Sequence, residues 1–254
     1  MLVVVSPAKK LDIEGDKPKE FTQPKFVNEA QRLINHLKKM SPNKLKKLMG
    51  ISSALSELNN KRYLSWQIEH NVDDSKQAIL SFTGEVYAGI NAKEYSSQEL
   101  IEAQRRLRIL SGLYGVLRPL DLMHAYRLEM GTKLKVGVKK NLYEYWGDKI
   151  VDDLNSTIAE LNTSTLVNLA SNEYFKSVNT KKLKAEIITP VFKDFSNGKY
   201  KVVMVYAKKA RGMMASYIVK NKIENVTDLI GFDIDGYYYN EEASTKNELV
   251  FYRG

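Results

Sequence analysis

Leu2-Val3-Val4-Val5-Ser6-Pro7-Ala8-Lys9 is the stretch from which the fold is read. Four apolar residues, three of them β-branched, form a short buried strand. Ser6 and Pro7 end it, so that Ser6 can cap and Lys9 offers a cation just beyond the strand's carboxyl end. Two later stretches have the same form. Thr165 to Ala170 reads as a strand and exits through Asn168-Leu169-Ala170-Ser171-Asn172-Glu173-Tyr174-Phe175-Lys176. Tyr200 to Tyr206 reads as another and exits through Ala207-Lys208-Lys209-Ala210-Arg211-Gly212 into a helix over Ala207 to Ile223. Loops at the carboxyl ends of sheet strands are where α/β proteins gather ligand sites. Three such loops bearing Lys, Arg, Ser and Glu are a candidate pocket for a phosphate-bearing ligand; surface caps and ion pairs account for the same residues.

Working outward, element types alternate without internal repeats. Residues 14–25, with Pro18 and Pro24, read as loop. Val27 to Met40 places Val27, Ala30, Ile34 and Leu37 at helical spacing. Ser41-Pro42 is an N-cap with proline at the first helical position, opening a helix to Met49. Ser53 to Asn60 reads as the next helix, and Ala78 to Phe82 as a strand. Ser96 with Glu99 forms a capping box for a helix carrying Leu100, Ala103, Leu107 and Leu110, ended by Gly112 and Gly115. Asn141 with Glu144 forms a second, before one helix with Leu142, Trp146, Ile150, Leu154, Ile158 and Leu161 on a single face. Ile187 to Phe192, Tyr237 to Tyr239 and Leu249 to Tyr252 read as strands. Ser196-Asn197-Gly198-Lys199 is a hairpin turn. The expected fold is α/β (α+β): one domain over residues 1–254, with a mixed sheet flanked by helices.

Composition narrows the function classes. The chain has 254 residues, 39 Lys and Arg against 30 Asp and Glu, and no cysteine. The absence of cysteine excludes a disulfide scaffold, a thiol nucleophile and Cys-ligated metal centres. The apolar run at the start is too short, and lacks the basic flank, for a signal peptide. No 18-residue apolar stretch exists, so a cytoplasmic protein without a membrane partner is expected. The net charge of +9 is localised: Thr132 to Lys222 holds 17 basic and 8 acidic residues, while the remainder balances. A polyanionic partner is one reading of that asymmetry, and lysine-rich solvated faces are the other.

Familiar catalytic signatures are missing. No phosphate-binding Gly-x-x-x-x-Gly-Lys-Ser/Thr, dinucleotide Gly-x-Gly-x-x-Gly or Gly-x-Ser-x-Gly motif occurs. His36, His70 and His124 are far apart in sequence, with no partner at ligand spacing. Asp152-Asp153 and Asp233 with Asp235 read as helix-face and turn acids, so no metal or cofactor is expected. One local motif remains: Leu48-Met49-Gly50-Ile51-Ser52-Ser53, after a helix bearing Lys44, Lys46 and Lys47. A glycine turn between short helices aims the second helix's free N–H groups outward, where they hold a DNA phosphate. Residues 41–60 are thus a candidate helix-hairpin-helix element, with Ser52 standing where a second glycine is usual. An ordinary helix–turn–helix corner is the alternative.

Six segments in order resemble the YaaA peroxide-stress family: Ser6-Pro7-Ala8-Lys9 with Leu11-Asp12; Leu110-Ser111-Gly112-Leu113-Tyr114-Gly115-Val116-Leu117-Arg118-Pro119-Leu120-Asp121; Tyr126-Arg127-Leu128-Glu129-Met130-Gly131; Tyr145-Trp146-Gly147; Asn168 to Lys176; and Tyr206 to Gly212. The resemblance implies a cytoplasmic protein tied to hydrogen peroxide resistance and lower free iron, hence less Fenton damage to DNA. It also implies DNA binding through a helix-hairpin-helix element and a basic cleft. On that reading Lys44, Lys46, Lys47, Gly50, Ile51, Ser52, Ser53, Lys208, Lys209 and Arg211 contact DNA, duplex or locally opened, with little base discrimination, in a monomer. The alternative function is an enzyme acting on a small phosphorylated or nucleotide-like ligand. There Ser6, Lys9, Arg118, Arg127, Asn168, Ser171, Glu173 and Lys176 form the pocket with Lys208 to Gly212, and Glu173 serves as general base.

Overall fold

The computed structural model describes residues 1–15 and 20–254. The loop expected over residues 14–25 therefore lies partly outside the described residues. β1 (Leu2–Val5) is buried at every position, and a two-residue strand β2 (Lys10–Leu11) follows it. α1 (Val27–Leu37) buries Ala30, Ile34 and Leu37 of the expected stripe together with Leu33, while Val27 at its first position stays half-buried. α2 (Pro42–Met49) starts after an extended Ser41. α3 (Ser53–Ser65) runs a turn beyond the expected Asn60.

β3 (Lys76–Gln77), α4 (Ala78–Ser81) and β4 (Phe82–Thr83) replace the strand expected over Ala78 to Phe82. The N–H groups of Ala78 and Ile79 donate to the carbonyls of Asp121 and Pro119. A loop thus satisfies this backbone from the side, and one helical turn fits where a ladder would not. α5 (Glu85–Ile90) comes next. α6 (Ser97–Arg106) begins with the reciprocal Ser96–Glu99 capping box.

The helix expected through Leu110 stops at Arg106, and β5 (Leu107–Ser111) follows without a break. All five β5 residues are buried, with Val3 opposite Leu107 and Val5 opposite Ile109 in parallel register. An apolar run buried on both faces has no diagnostic period, and the open edge of β1 decides for strand. β6 (Gly115–Leu117) returns antiparallel, and β7 (Leu122–Met123) pairs with β3.

The single helix expected after Asn141 is two, α7 (Leu142–Trp146) and α8 (Lys149–Glu160), separated by Gly147 at φ +51°. Asn141 caps α7 by accepting from the Glu144 N–H, while the Glu144 carboxylate turns back to the Lys140 N–H. β8 (Thr165–Leu169), α9 (Asn172–Phe175), β9 (Glu186–Ser196) and β10 (Lys199–Lys201) follow. The β9–β10 turn has Asn197 at φ +55° and Gly198 at φ +76°, the left-handed pair of a tight hairpin. The strand expected to Tyr206 ends at Lys201, and α10 (Met204–Lys220) starts earlier than its predicted Ala207. β11 (Tyr238–Tyr239) and β12 (Glu248–Arg253) complete the sheet.

Among the described residues seven strands of the main sheet run in the order β11-β12-β9-β8-β1-β5-β6, with β10 hydrogen-bonded to β9 as the eighth. β12, β9, β8, β1 and β5 are parallel; β6, β10 and β11 are antiparallel. The fold is a mixed α/β sheet flanked by helices. The chain leaves β1 for β5 on one side and leaves β8 for β9 on the other. Between the carboxyl ends of β1 and β8 the connections diverge, which opens a crevice.

Candidate functional site

The crevice is present as a cleft of about 360 Å³. Ser6 to Lys10 leave β1 along one wall and Leu169 to Tyr174 leave β8 along the next. Thr83 to Val86, Glu129, Lys208 and Arg211 complete it. Two serines tie the strand ends together. Ser6 Oγ accepts from the Ser171 N–H at 2.8 Å and donates to Ser171 Oγ at 3.2 Å. The Tyr87 hydroxyl donates to the Ser6 carbonyl at 3.1 Å, fixing the turn from below.

Two charge groupings line the cleft. In one, Lys9 pairs with Glu129 at 2.8 Å, and Arg127 reaches the other Glu129 oxygen at 2.9 Å. Glu173 Oε1 accepts from the Gly131 N–H at 2.9 Å. In the other, Lys208 and Arg211 stand one helical turn apart on α10. Neither has an ion pair or hydrogen bond among the described residues. Burial pulls the Arg211 guanidinium below the usual arginine range.

Not every residue expected in the pocket lines it. Ser6, Lys9, Ser171 and Glu173 do. Arg118 is held elsewhere, donating to Asp121 Oδ1 from Nε and Nη2 at 3.0 and 2.8 Å. Arg127 stands behind the rim, on Glu129. Asn168 is buried within β8, where its side chain accepts from the Ala170 N–H. Lys176 borders a separate recess with Tyr143, Asp148 and Lys181. Lys209 turns away from its neighbours toward Asp235, 3.7 Å distant.

The Gly50 segment has the geometry of a tight helical hairpin. Gly50 closes α2 at φ +61°, ψ +42°, with open space around its α-carbon. Ser52 is extended at φ −66°, a conformation open to any residue, so no second glycine is needed there. Its side chain caps α3 by accepting from the Leu55 N–H. Lys44, Lys46, Lys47, Ser52 and Ser53 are exposed and Ile51 is buried. Lys46 Nζ donates to Ser53 Oγ at 3.0 Å. From this hairpin a chain of contacts runs toward the cleft. Met49 Sδ lies 3.7 Å from the Tyr63 hydroxyl, which donates to the Arg127 carbonyl.

Residues 1–243 match the sequence profile of a family described as peroxide stress protein YaaA. The chain belongs to that family. It is 54% identical to a UPF0246 protein of Idiomarina loihiensis, over 100% of this chain and 98% of that protein. UPF0246 proteins of Colwellia psychrerythraea and Aliivibrio fischeri are each 51% identical over 100% of this chain and 99% and 98% of their own length.

In this YaaA-family chain, four of the six family-like segments meet at the cleft: those holding Ser6, Glu129, Ser171 and Arg211. The other two brace it. Trp146 Nε1 donates to the Gly112 carbonyl at 3.0 Å, and its ring fills the space beside Gly115, where a Cβ would come within 2.7 Å. Glu85 and Lys10 also line the cleft and carry no signal in the sequence, since neither stands in a recognisable pattern.

The two buried histidines depart from the expectation of isolated side chains. His70 and His124, apart in sequence, have ring centroids 4.2 Å apart. The His70 Nε2 is hydrogen-bonded to the Tyr114 hydroxyl at 2.8 Å, and Tyr114 accepts from Trp66 Nε1. Burial, and then the neighbouring His124, pull His70 down to about 4. Among the described residues no group of three or more His, Asp or Glu is gathered as a metal site. No helix among them is long and apolar enough to cross a membrane.

Proposed function

We propose that this peroxide stress protein binds DNA largely without sequence preference, as a cytoplasmic monomer, and so helps limit iron-dependent oxidative damage to DNA. The observation that carries the reading is the Gly50 hairpin. Its left-handed glycine turns the chain so that α3 begins at the surface, beside three exposed lysines on α2. The first N–H groups of a helix have no intrahelical acceptor, and together with the helix dipole they favour a phosphate. Lys44, Lys46 and Lys47 supply charge that is indifferent to sequence. The localised basic excess after Thr132, including Lys208, Lys209 and Arg211, extends the electrostatic attraction.

The test is binding of an arbitrary duplex of about 20 base pairs by fluorescence anisotropy, from about 50 to about 200 mM salt. Release of condensed counterions predicts a steep linear fall of log affinity with log salt. An affinity indifferent to salt, or strong preference for one sequence, would overturn the reading. Plasmid nicking by ferrous iron and peroxide tests the protective step: bound protein should reduce it, and equal nicking with and without protein argues against protection.

A further inference from the structure

We infer that the cleft between the β1 and β8 carboxyl ends is a second binding site, for a free nucleoside monophosphate, separate from the Gly50 hairpin. Three donors facing it are unspent. Arg211 is half-buried and unpartnered among the described residues, although leaving a guanidinium unpaired during partial burial is costly. Lys208 is exposed, equally unpartnered and one turn away. The Ser171 hydroxyl accepts from Ser6, and its own proton has no acceptor among the described residues. Such a set suits an anion with several acceptor oxygens, which describes a phosphate better than a carboxylate.

The remaining lining decides what the phosphate carries. Glu85 and Glu173 repel a second or third phosphate, so a triphosphate is disfavoured. Glu129 is already neutralised by Lys9 and Arg127, and Glu173 keeps one oxygen free of the Gly131 bond. Glu173 and Glu85 therefore present acceptors for hydroxyl or amino hydrogens, as a sugar or base offers. Ala8, Val86, Leu169 and Tyr174 supply apolar surface for a ring. A cleft of about 360 Å³ lies at the small end of ligand sites, suited to one nucleotide.

The position supports this assignment independently of charge, because a topological switch point is where open α/β sheets bind such ligands. The hairpin's residues do not line the cleft, so the two sites can fail separately.

Calorimetric titration of the intact protein with AMP, dAMP and UMP, and with adenosine and inorganic phosphate, tests the proposal. At least one monophosphate should bind with a measurable dissociation constant, and adenosine at least about tenfold more weakly. Arg211→Ala and Arg211→Gln should each weaken binding about tenfold or more, with Arg211→Lys recovering part of it. Lys209→Ala, which alters a residue turned away to Asp235, should leave affinity within about twofold. Replacing Lys44, Lys46 and Lys47 with Gln should reduce duplex binding and leave nucleotide binding unchanged. Melting curves confirm that each variant is folded. No heat or competition with any monophosphate at millimolar concentration overturns the inference. So does equal weakening by Lys209→Ala, or Arg211-dependent capture of a 5′-phosphorylated oligonucleotide without capture of the free nucleotide.

Discussion

Gly89 and Gly212 face each other where α5 crosses α10. A Cβ on Gly212 would sit 1.9 Å from the Val86 carbonyl oxygen, and one on Gly89 would sit 2.1 Å from that of Lys209. Backbone meets backbone, so no side chain can move aside. This crossing holds the Lys208–Arg211 turn against the wall formed by Glu85 and Val86. Gly212→Ala is expected to cost about 3 kcal/mol in urea unfolding, at the upper end for overpacking. Gly231→Ala, whose Cβ would meet only the Tyr217 hydroxyl at 3.3 Å, should cost less than about 1 kcal/mol. Equal costs at the two positions would show that the two backbones are free to move apart.

Ser6 joins the ends of β1 and β8 through Ser171. Ser6→Ala removes the acceptor of the Ser171 N–H and should destabilise by about 1 kcal/mol. The larger effect belongs to the cleft, because Ser171 would lose the bond that orients it. Stability should therefore fall slightly while affinity for a monophosphate falls severalfold. A variant with intact affinity would remove Ser6 from the site's support.

The His70 environment predicts a pH dependence. In the folded protein His70 is held at about 4, below its ordinary value near 6.5. Between these values the unfolded chain binds the extra proton, so stability rises with pH across that window and is lost on acidification. The groups facing the ring are His124, the Tyr114 hydroxyl and the Trp66 ring, with the Ile68 carbonyl on Nδ1. The loss between about pH 7 and about pH 4 is on the order of 3 kcal/mol. His70→Gln should flatten that slope in denaturant titrations across the same range, whatever it does to stability at neutral pH. A slope unchanged by the substitution would refute the assignment to His70.

Arg106 is 1% exposed, pairs with Glu102, and donates to the Ile223 carbonyl at 2.7 Å. Removing the acid leaves this buried guanidinium with the Ile223 carbonyl and the more distant, exposed carboxylate of Glu224 at 3.8 Å. Glu102→Ala should destabilise by about 3 kcal/mol, the lower end for breaking a buried pair because Glu224 stays within reach, and more than a surface ion pair such as Lys246–Glu186 contributes. Thermal melts of Glu102→Ala and Glu186→Ala side by side make the comparison.

The hairpin lysines carry a prediction in salt dependence rather than in one affinity. Each phosphate that a lysine no longer neutralises lowers the slope of log affinity against log salt by about 0.9. Changing Lys44, Lys46 and Lys47 to Gln should reduce the slope by as much as about 3, equally for unrelated duplex sequences. A change confined to one sequence would mean that these lysines read bases.

Local chemistry is legible in the sequence wherever a few consecutive residues satisfy their own backbone. The Ser96 cap with Glu99 and the Asn197-Gly198 turn each close within four residues, and each is present in the fold, whereas Ser41 precedes Pro42 at the start of α2 without a capping side-chain hydrogen bond. The extra turn at the start of α10 and the break at Gly147 are not legible, since a continuing apolar stripe conceals where a helix begins or is interrupted. The cleft is partly legible too. Strand exits rich in Ser, Lys and Glu point to Ser6, Lys9, Ser171 and Glu173, which line it; Lys208 and Arg211 line it too, but from within α10 rather than from the strand exit expected there.

By itself, then, the sequence determined β1, most helical stripes, the turns and the concentration of charge after Thr132. Tertiary structure alone decided that Leu107 to Ser111 is a strand, because the open edge of β1 supplied the hydrogen bonds. It also brought His70 onto His124, sent Arg118 to Asp121, and turned Lys209 to Asp235 while leaving Arg211 unpaired among the described residues in the cleft. Composition and spacing fix what a side chain is able to bind. Only the packed neighbours fix which partner lies within reach, since a rotation of one helical residue by about 100° exchanges one environment for another.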